Sequence, residues 1–160
     1  QHFSGELLRQ KSGIEVKHIA YRGTPAVITA LRAGEVDYAV ELAHAVQGQV
    51  QAGELKLLAV STPKRWPTIP DVPTVAESGV PGYGVTGWYG FVLPGGTPKA
   101  IVDKTNAALR QVLARPEVKE QLAKAGAIVH VTSPEEFTKY MTEEVAKWKA
   151  VRDAAGLEPN

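Results

Sequence analysis

The residues of this chain best suited to chemistry are Tyr21-Arg22-Gly23-Thr24-Pro25-Ala26, together with Glu41 further along. The first stretch reads as a turn from a strand into a helix, with Thr24 as N-cap and Pro25 at the first helical position. A helix N-terminus carries unpaired N–H groups and partial positive charge, so this turn can hold a carboxylate. Gly23 permits close approach, Thr24 offers a hydroxyl, Arg22 offers a cationic fork, and Ala26 lies in the same first turn. Glu41, in Val40-Glu41-Leu42-Ala43, ends a neighbouring strand at the same carboxyl edge of the sheet, where open α/β sheets place ligands. It can anchor a ligand hydroxyl or amine. The plainer alternative is an ordinary capped helix with a surface arginine and a rim glutamate.

Other motifs point away from catalysis. Gly82-Tyr83-Gly84-Val85-Thr86-Gly87 matches G-x-G-x-x-G, but the dinucleotide fingerprint needs a strand before it and a helix after it. Here a proline loop precedes and the apparent strand Trp88–Leu93 follows, so a hinge or crossing segment is expected. His2, His18, His44 and His130 share no metal-ligand spacing and no H-E-x-x-H occurs, so no metal site is expected. There is no G-x-S-x-G elbow and no Walker loop. Glu143 and Glu144 sit in a helical charge pattern that fits a solvated face. No nucleophile, base and oxyanion donor come together, so neither enzyme activity nor a cofactor is expected.

The 160 residues can bury a real core, as one domain or as two small lobes. Hydrophobic content of 44% with 22% charged residues is ordinary for a soluble globular protein. A net charge of +1, with both signs interspersed, gives no case for nucleic acid. No apolar run approaches the roughly 20 residues of a membrane helix. The absence of cysteine excludes disulfides and thiolate chemistry. The N-terminus does not read as a signal peptide. Gln1 stands in a helix already under way, which suggests a mature, cleaved or truncated chain.

The elements that must position Gly23, Thr24 and Glu41 follow from periodicity and punctuation. A helix over Gln1–Gln10 stops at Gly13, and Ile14–Tyr21 alternates as a half-buried strand. The helix opened by Thr24 runs through Ala33 to Gly34, Val36–Val40 is a short strand, and His44–Ala52 is a helix closed by Gly53. Leu55–Ser61 reads as a strand. It leads into a loop carrying Pro63, Pro67, Pro70, Pro73 and Pro81, interleaved with Trp66, Ile69, Val72 and Val75. Prolines bar regular structure and the apolar residues demand burial, so the loop is expected to be ordered across an α/β core. Beyond Gly79–Gly87, the best boundary, come the strand Trp88–Leu93, helices from Thr97-Pro98 to Leu113 and from Pro116 to Ala125, and the strand Ile128–Val131. Ser133-Pro134-Glu135-Glu136 is a capping box. It launches a long helix with Phe137, Tyr140, Met141, Val145, Trp148 and Val151 on one stripe. Strands alternating with helices predict α/β architecture with a parallel or mixed sheet.

The motifs H-F-S-G-E-L (from His2), Y-R-G-T-P-A (from Tyr21), A-G-E-V-D (from Ala33) and L-A-V-S-T (from Leu58) come in order. P-D-V-P-T-V-A-E-S-G (from Pro70), W-Y-G (from Trp88) and P-G-G-T-P (from Pro94) continue the series. Over essentially its whole length the chain resembles the Bug-type extracytoplasmic solute receptors of tripartite tricarboxylate transporters. The resemblance implies a type II periplasmic-binding-protein fold, with two α/β lobes closing on a small carboxylate. It also implies a periplasmic location, no catalysis, no cofactor, and delivery of the ligand to membrane permease subunits. Carried over, it implicates the amides and hydroxyl around Gly23 and Thr24, and Glu41, where family members usually carry aspartate. Family receptors are about twice this length, and the chain resembles their second half. Residues 1–84 would form most of lobe two and 85–160 would return to complete lobe one, which suggests a homodimer or a missing N-terminal half as partner. Two other readings compete: the effector-sensing domain of a transcriptional regulator, which would need a helix-turn-helix, and a small α/β nucleotide-binding enzyme using Gly82–Gly87.

Overall fold

The computed structural model describes residues 1–157. They form helices α1 (His2–Ser12), α2 (Thr24–Ala33), α3 (Ala43–Gln51), α4 (Lys99–Ala114), α5 (Pro116–Lys124) and α6 (Pro134–Ala155). Their ends follow the sequence punctuation. Left-handed Gly13 and Gly34 close α1 and α2. The Ser133 amide donates to the Glu136 carboxylate at 2.7 Å and the Glu136 amide donates to Ser133 Oγ at 3.1 Å, the reciprocal capping box. One cap differs from expectation. The N-cap of α2 is Gly23, and Thr24 is the first helical residue, making no capping bond.

The expected strands Ile14–Tyr21, Val36–Val40, Leu55–Ser61, Trp88–Leu93 and Ile128–Val131 do not assemble into a sheet among the described residues. The one bridge there is an isolated parallel pairing of Val60 with Thr74. The reason is physical. Alternating apolar residues report a surface that can be half buried, but a ladder also needs a neighbouring backbone at the right spacing.

Two compact units divide the chain: Gln1–Trp88 with the segment from Val151 on, and Tyr89–Ala150. In the first unit Leu7, Ala30, Val46, Val60, Tyr83, Val85 and Val151 form the buried apolar core, with Ser4 and Thr74 buried among them. The Tyr83 hydroxyl donates to the Ser4 carbonyl at 3.1 Å, and the Gln10 amide donates to the Val151 carbonyl at 3.1 Å, which ties α1 down at two points. Tyr83 and Val85 are buried and no helix follows Gly87 before α4, so the Gly82–Gly87 motif lacks the helix that a dinucleotide fingerprint needs.

The proline loop is ordered by hydrogen bonds at both ends. Val60 donates to the Pro73 carbonyl at 2.8 Å and accepts from Val75 at 3.0 Å, while Val85 donates to the Ser61 carbonyl at 2.7 Å. Glu77 then gathers the loop. It accepts from Arg65 Nε at 3.0 Å and from the Thr74 amide at 2.7 Å, while Arg65 Nη1 reaches the Pro70 carbonyl at 3.1 Å. The Glu77 amide returns a bond to Thr74 Oγ1 at 3.1 Å, a second capping box around a single turn.

In the second unit α4 packs against α5, and the Asn106 amide donates to the Thr132 carbonyl at 3.0 Å. Gly90 lies flat on the Phe137 ring. A methyl group at that position would overlap the ring, 2.8 Å from Cε1 and 2.9 Å from Cε2.

Two outcomes follow. Gly90→Ala is expected to destabilise by about 1–3 kcal/mol through overpacking, read as the urea midpoint, and Phe137→Leu in the same chain should recover part of the loss. The Thr74 amide, then Arg65, holds the Glu77 carboxyl below its ordinary value of 4.5. Its contribution is therefore complete above that value and is lost as pH falls through the depressed one. The protection factor of the Thr74 amide, referred to its intrinsic exchange rate at each pH, should fall on acidification through that window, and the Glu77→Gln chain should lack this step.

Candidate functional site

The site grows from one glycine. Gly23 has φ 82° and ψ 161°, a backbone region open in practice to glycine alone. Its amide donates to the Tyr21 carbonyl at 3.2 Å, and its carbonyl accepts the first helical bond, from Val27 at 3.4 Å. The chain thus turns sharply from the segment ending at Tyr21 into α2. Pro25 contributes no N–H, and the Thr24 and Ala26 amides precede the first intrahelical donor. These two amides are the open donors of the α2 end.

α3 packs against α2, and this brings Glu41 to the same place. Glu41 immediately precedes Leu42, the N-cap of α3. Thr24 Oγ1 donates to Glu41 Oε2 at 3.1 Å across seventeen residues of chain. Both side chains are half-buried. The Thr24 hydroxyl donates to Glu41, while Gly23 stands at the cap position of α2. The Thr24 oxygen keeps its lone pairs, the Glu41 carboxylate keeps further acceptor capacity, and the amides supply donors.

Of the sequence-derived candidates, Gly23, Thr24, Ala26 and Glu41 therefore come together at the N-terminal ends of α2 and α3. Arg22 is exposed and makes no ion pair among the described residues. The N-terminus of α3 was not anticipated as part of the site. Its signal was present, because the helical pattern starts directly after Glu41, and Ala43 and His44 are its first-turn amides. Elsewhere His2 and His18 stack with ring centroids 3.8 Å apart, and burial, then the charge of His2, pushes the His18 imidazole down. Among the described residues no group of three or more His, Asp or Glu side chains is placed to hold a metal ion.

The family model for the tripartite tricarboxylate transporter family receptor matches residues 1–157. The chain belongs to this receptor family. Its Bug-type members are extracytoplasmic solute receptors, not enzymes. The chain is similar to R. palustris Rpa4515 solved with adipate, at 33% identity and TM-score 0.81, covering 99% of this chain and 53% of that one. It is similar to the periplasmic binding protein BugD at 32% identity and TM-score 0.73, covering 99% and 54%. A third likeness is to MatC (Rpa3494) from Rhodopseudomonas palustris with bound malate, at 32% identity and TM-score 0.70, covering 94% and 52%. The fold is accordingly that of periplasmic binding proteins of this family. The chain spans about half the length of these proteins and of the curated relatives it matches first. No helix among the described residues is long and apolar enough to cross a membrane.

Gly23→Ala is expected to cost about 1–3 kcal/mol by forcing a side chain into a glycine-only conformation, measured by urea unfolding. A double-mutant cycle of Thr24→Val with Glu41→Gln should show coupling of about 0.5 kcal/mol or more. Additivity would mean that the two residues do not interact in solution.

Proposed function

We propose that this chain forms one wall of a periplasmic receptor that captures a small carboxylate for a tripartite tricarboxylate transporter. The observation that carries the reading is the Thr24–Glu41 hydrogen bond, which sets a hydroxyl and a carboxylate between the N-terminal ends of two helices. Helix N-termini favour anions through open amides and partial positive charge. The ligand carboxylate is assigned to the Thr24 and Ala26 amides beside Gly23, with the exposed Arg22 steering anions at longer range. Glu41 cannot welcome a second carboxylate, and it selects for a hydroxyl or amine on the same ligand. The adipate and malate of the two solved relatives support small carboxylates as the ligand class.

In this reading residues 1–84 form most of lobe two and 85–160 return to lobe one, in a type II periplasmic-binding arrangement of mixed, mainly parallel sheets flanked by helices. The extended segments that lack ladder partners here are assigned to those sheets. The receptor acts without a cofactor and passes its ligand to the transporter's membrane permease subunits. A wall alone encloses little of its ligand, whereas binding sites usually enclose most of it.

Calorimetry against adipate, malate, succinate, citrate and glutamate tests the proposal. The chain alone should give weak or no heat. A fusion joining it to the half of the adipate-bound R. palustris receptor that lies outside the match should bind one of these acids at about micromolar affinity. Thr24→Val and Glu41→Gln should each weaken that binding by about tenfold or more, without lowering the melting temperature in proportion. A folded fusion that binds none of the panel would sink the function, and unchanged affinity in both variants would sink the site.

A further inference from the structure

The proline loop borders an open groove of about 540 Å³, lined by residues that include Pro63, Lys64, Arg65, Glu77, Pro81 and Gly82. The one carboxylate lining it, Glu77, is already committed. Arg65 Nε donates to both Glu77 oxygens, at 3.1 and 3.0 Å, and the Thr74 amide donates to one of them at 2.7 Å. The groove is left with cations that nothing neutralises. Lys64 lines it, and Lys11 of α1 comes to its edge, where a methyl group on Gly82 would lie 3.4 Å from Lys11 Nζ. Neither lysine makes an ion pair among the described residues.

The backbone beneath these cations is held in place. Thr62 Oγ1 donates to the Lys64 carbonyl at 2.7 Å, and Arg65 Nη1 donates to the Pro70 carbonyl at 3.1 Å. Pro63 and Pro81 fix φ at two further points. Gly82, at φ 73°, has no side chain to stand between Lys11 and the groove. A basic groove that is stiff beforehand loses little freedom when it takes a partner.

Shape and charge together select the occupant. An open groove encloses too little of a small anion to hold it tightly. A membrane surface or a nucleic acid calls for a broad basic face, whereas this chain has net charge +1 with both signs interspersed. An acidic polypeptide can lay successive carboxylates along a concave surface and set one beside each lysine. We propose that this groove is a docking site for an acidic polypeptide segment of a partner protein, gripped by Lys11 and Lys64. It shares no residue with the Thr24–Glu41 site and does not rest on the carboxylate reading.

Fluorescence anisotropy of a labelled peptide of alternating glutamate and serine, added to the full chain at low salt, tests the proposal. The peptide should bind, its glutamine counterpart should bind at least about tenfold more weakly, and affinity should fall as salt rises. Lys11→Gln and Lys64→Gln should each weaken binding by about threefold, with the urea midpoint showing that each variant is folded. Lys119→Gln, the same charge change on an exposed residue of α5, should leave binding unaltered. The proposal is overturned if the glutamate peptide does not bind, or if Lys119→Gln weakens it as much as the other two. It is also overturned if citrate or phosphatidylserine vesicles bind as tightly as the peptide, or if the fusion described above cannot take the peptide. A fusion that binds the peptide but no carboxylate leaves this inference standing and removes the ligand reading alone.

Discussion

Val60 commits both of its backbone groups to the proline loop, and the first unit is organised around that exchange. Buried N–H and C=O groups must find partners, and here a loop with too many prolines for a helix or ladder supplies them. The pairing draws Thr74 inside, and Thr74 then anchors the turn that positions Glu77. Glu77 captures Arg65 on the far side of the loop. The next bond, from Val85 to Ser61, buries Tyr83, whose hydroxyl holds α1. A loop with little regular structure of its own thus carries the packing of the elements around it.

The site relies on a different economy of donors. Thr24 is the one hydroxyl at the α2 end, and it donates to Glu41. The bond forms because α3 packs against α2 and brings Glu41 within reach of the hydroxyl. Gly23, not Thr24, stands at the cap, and the first-turn amides of α2 precede the first helical bond.

Most helices were legible from their punctuation. Gly13, Gly34, Pro116 and the Ser133–Glu136 box all mark real ends. The nearness of Gly23, Thr24 and Glu41 was expected from a shared sheet edge; among the described residues it comes instead from the packing of α3 against α2. The Thr24–Glu41 bond itself gave no local signal, since seventeen residues separate its partners. The Thr74–Glu77 box carries its own T-x-x-E signal, but no apolar helical run follows it to draw the eye. The strands read from patterns such as Trp88–Leu93 are not formed among the described residues, because the pattern says nothing about the neighbour a ladder requires. Gly90 gave no local signal, because what forbids its side chain lies forty-seven residues away in Phe137.

That last contact also constrains the routes by which the sequence can drift. A side chain at position 90 meets the Phe137 ring, and a smaller residue at 137 loses the packing of that ring, so each change alone carries a cost. Made together, each change relieves part of the other's cost. Two positions far apart in the chain are thereby coupled, and a side chain at 90 is expected to go with a smaller residue at 137.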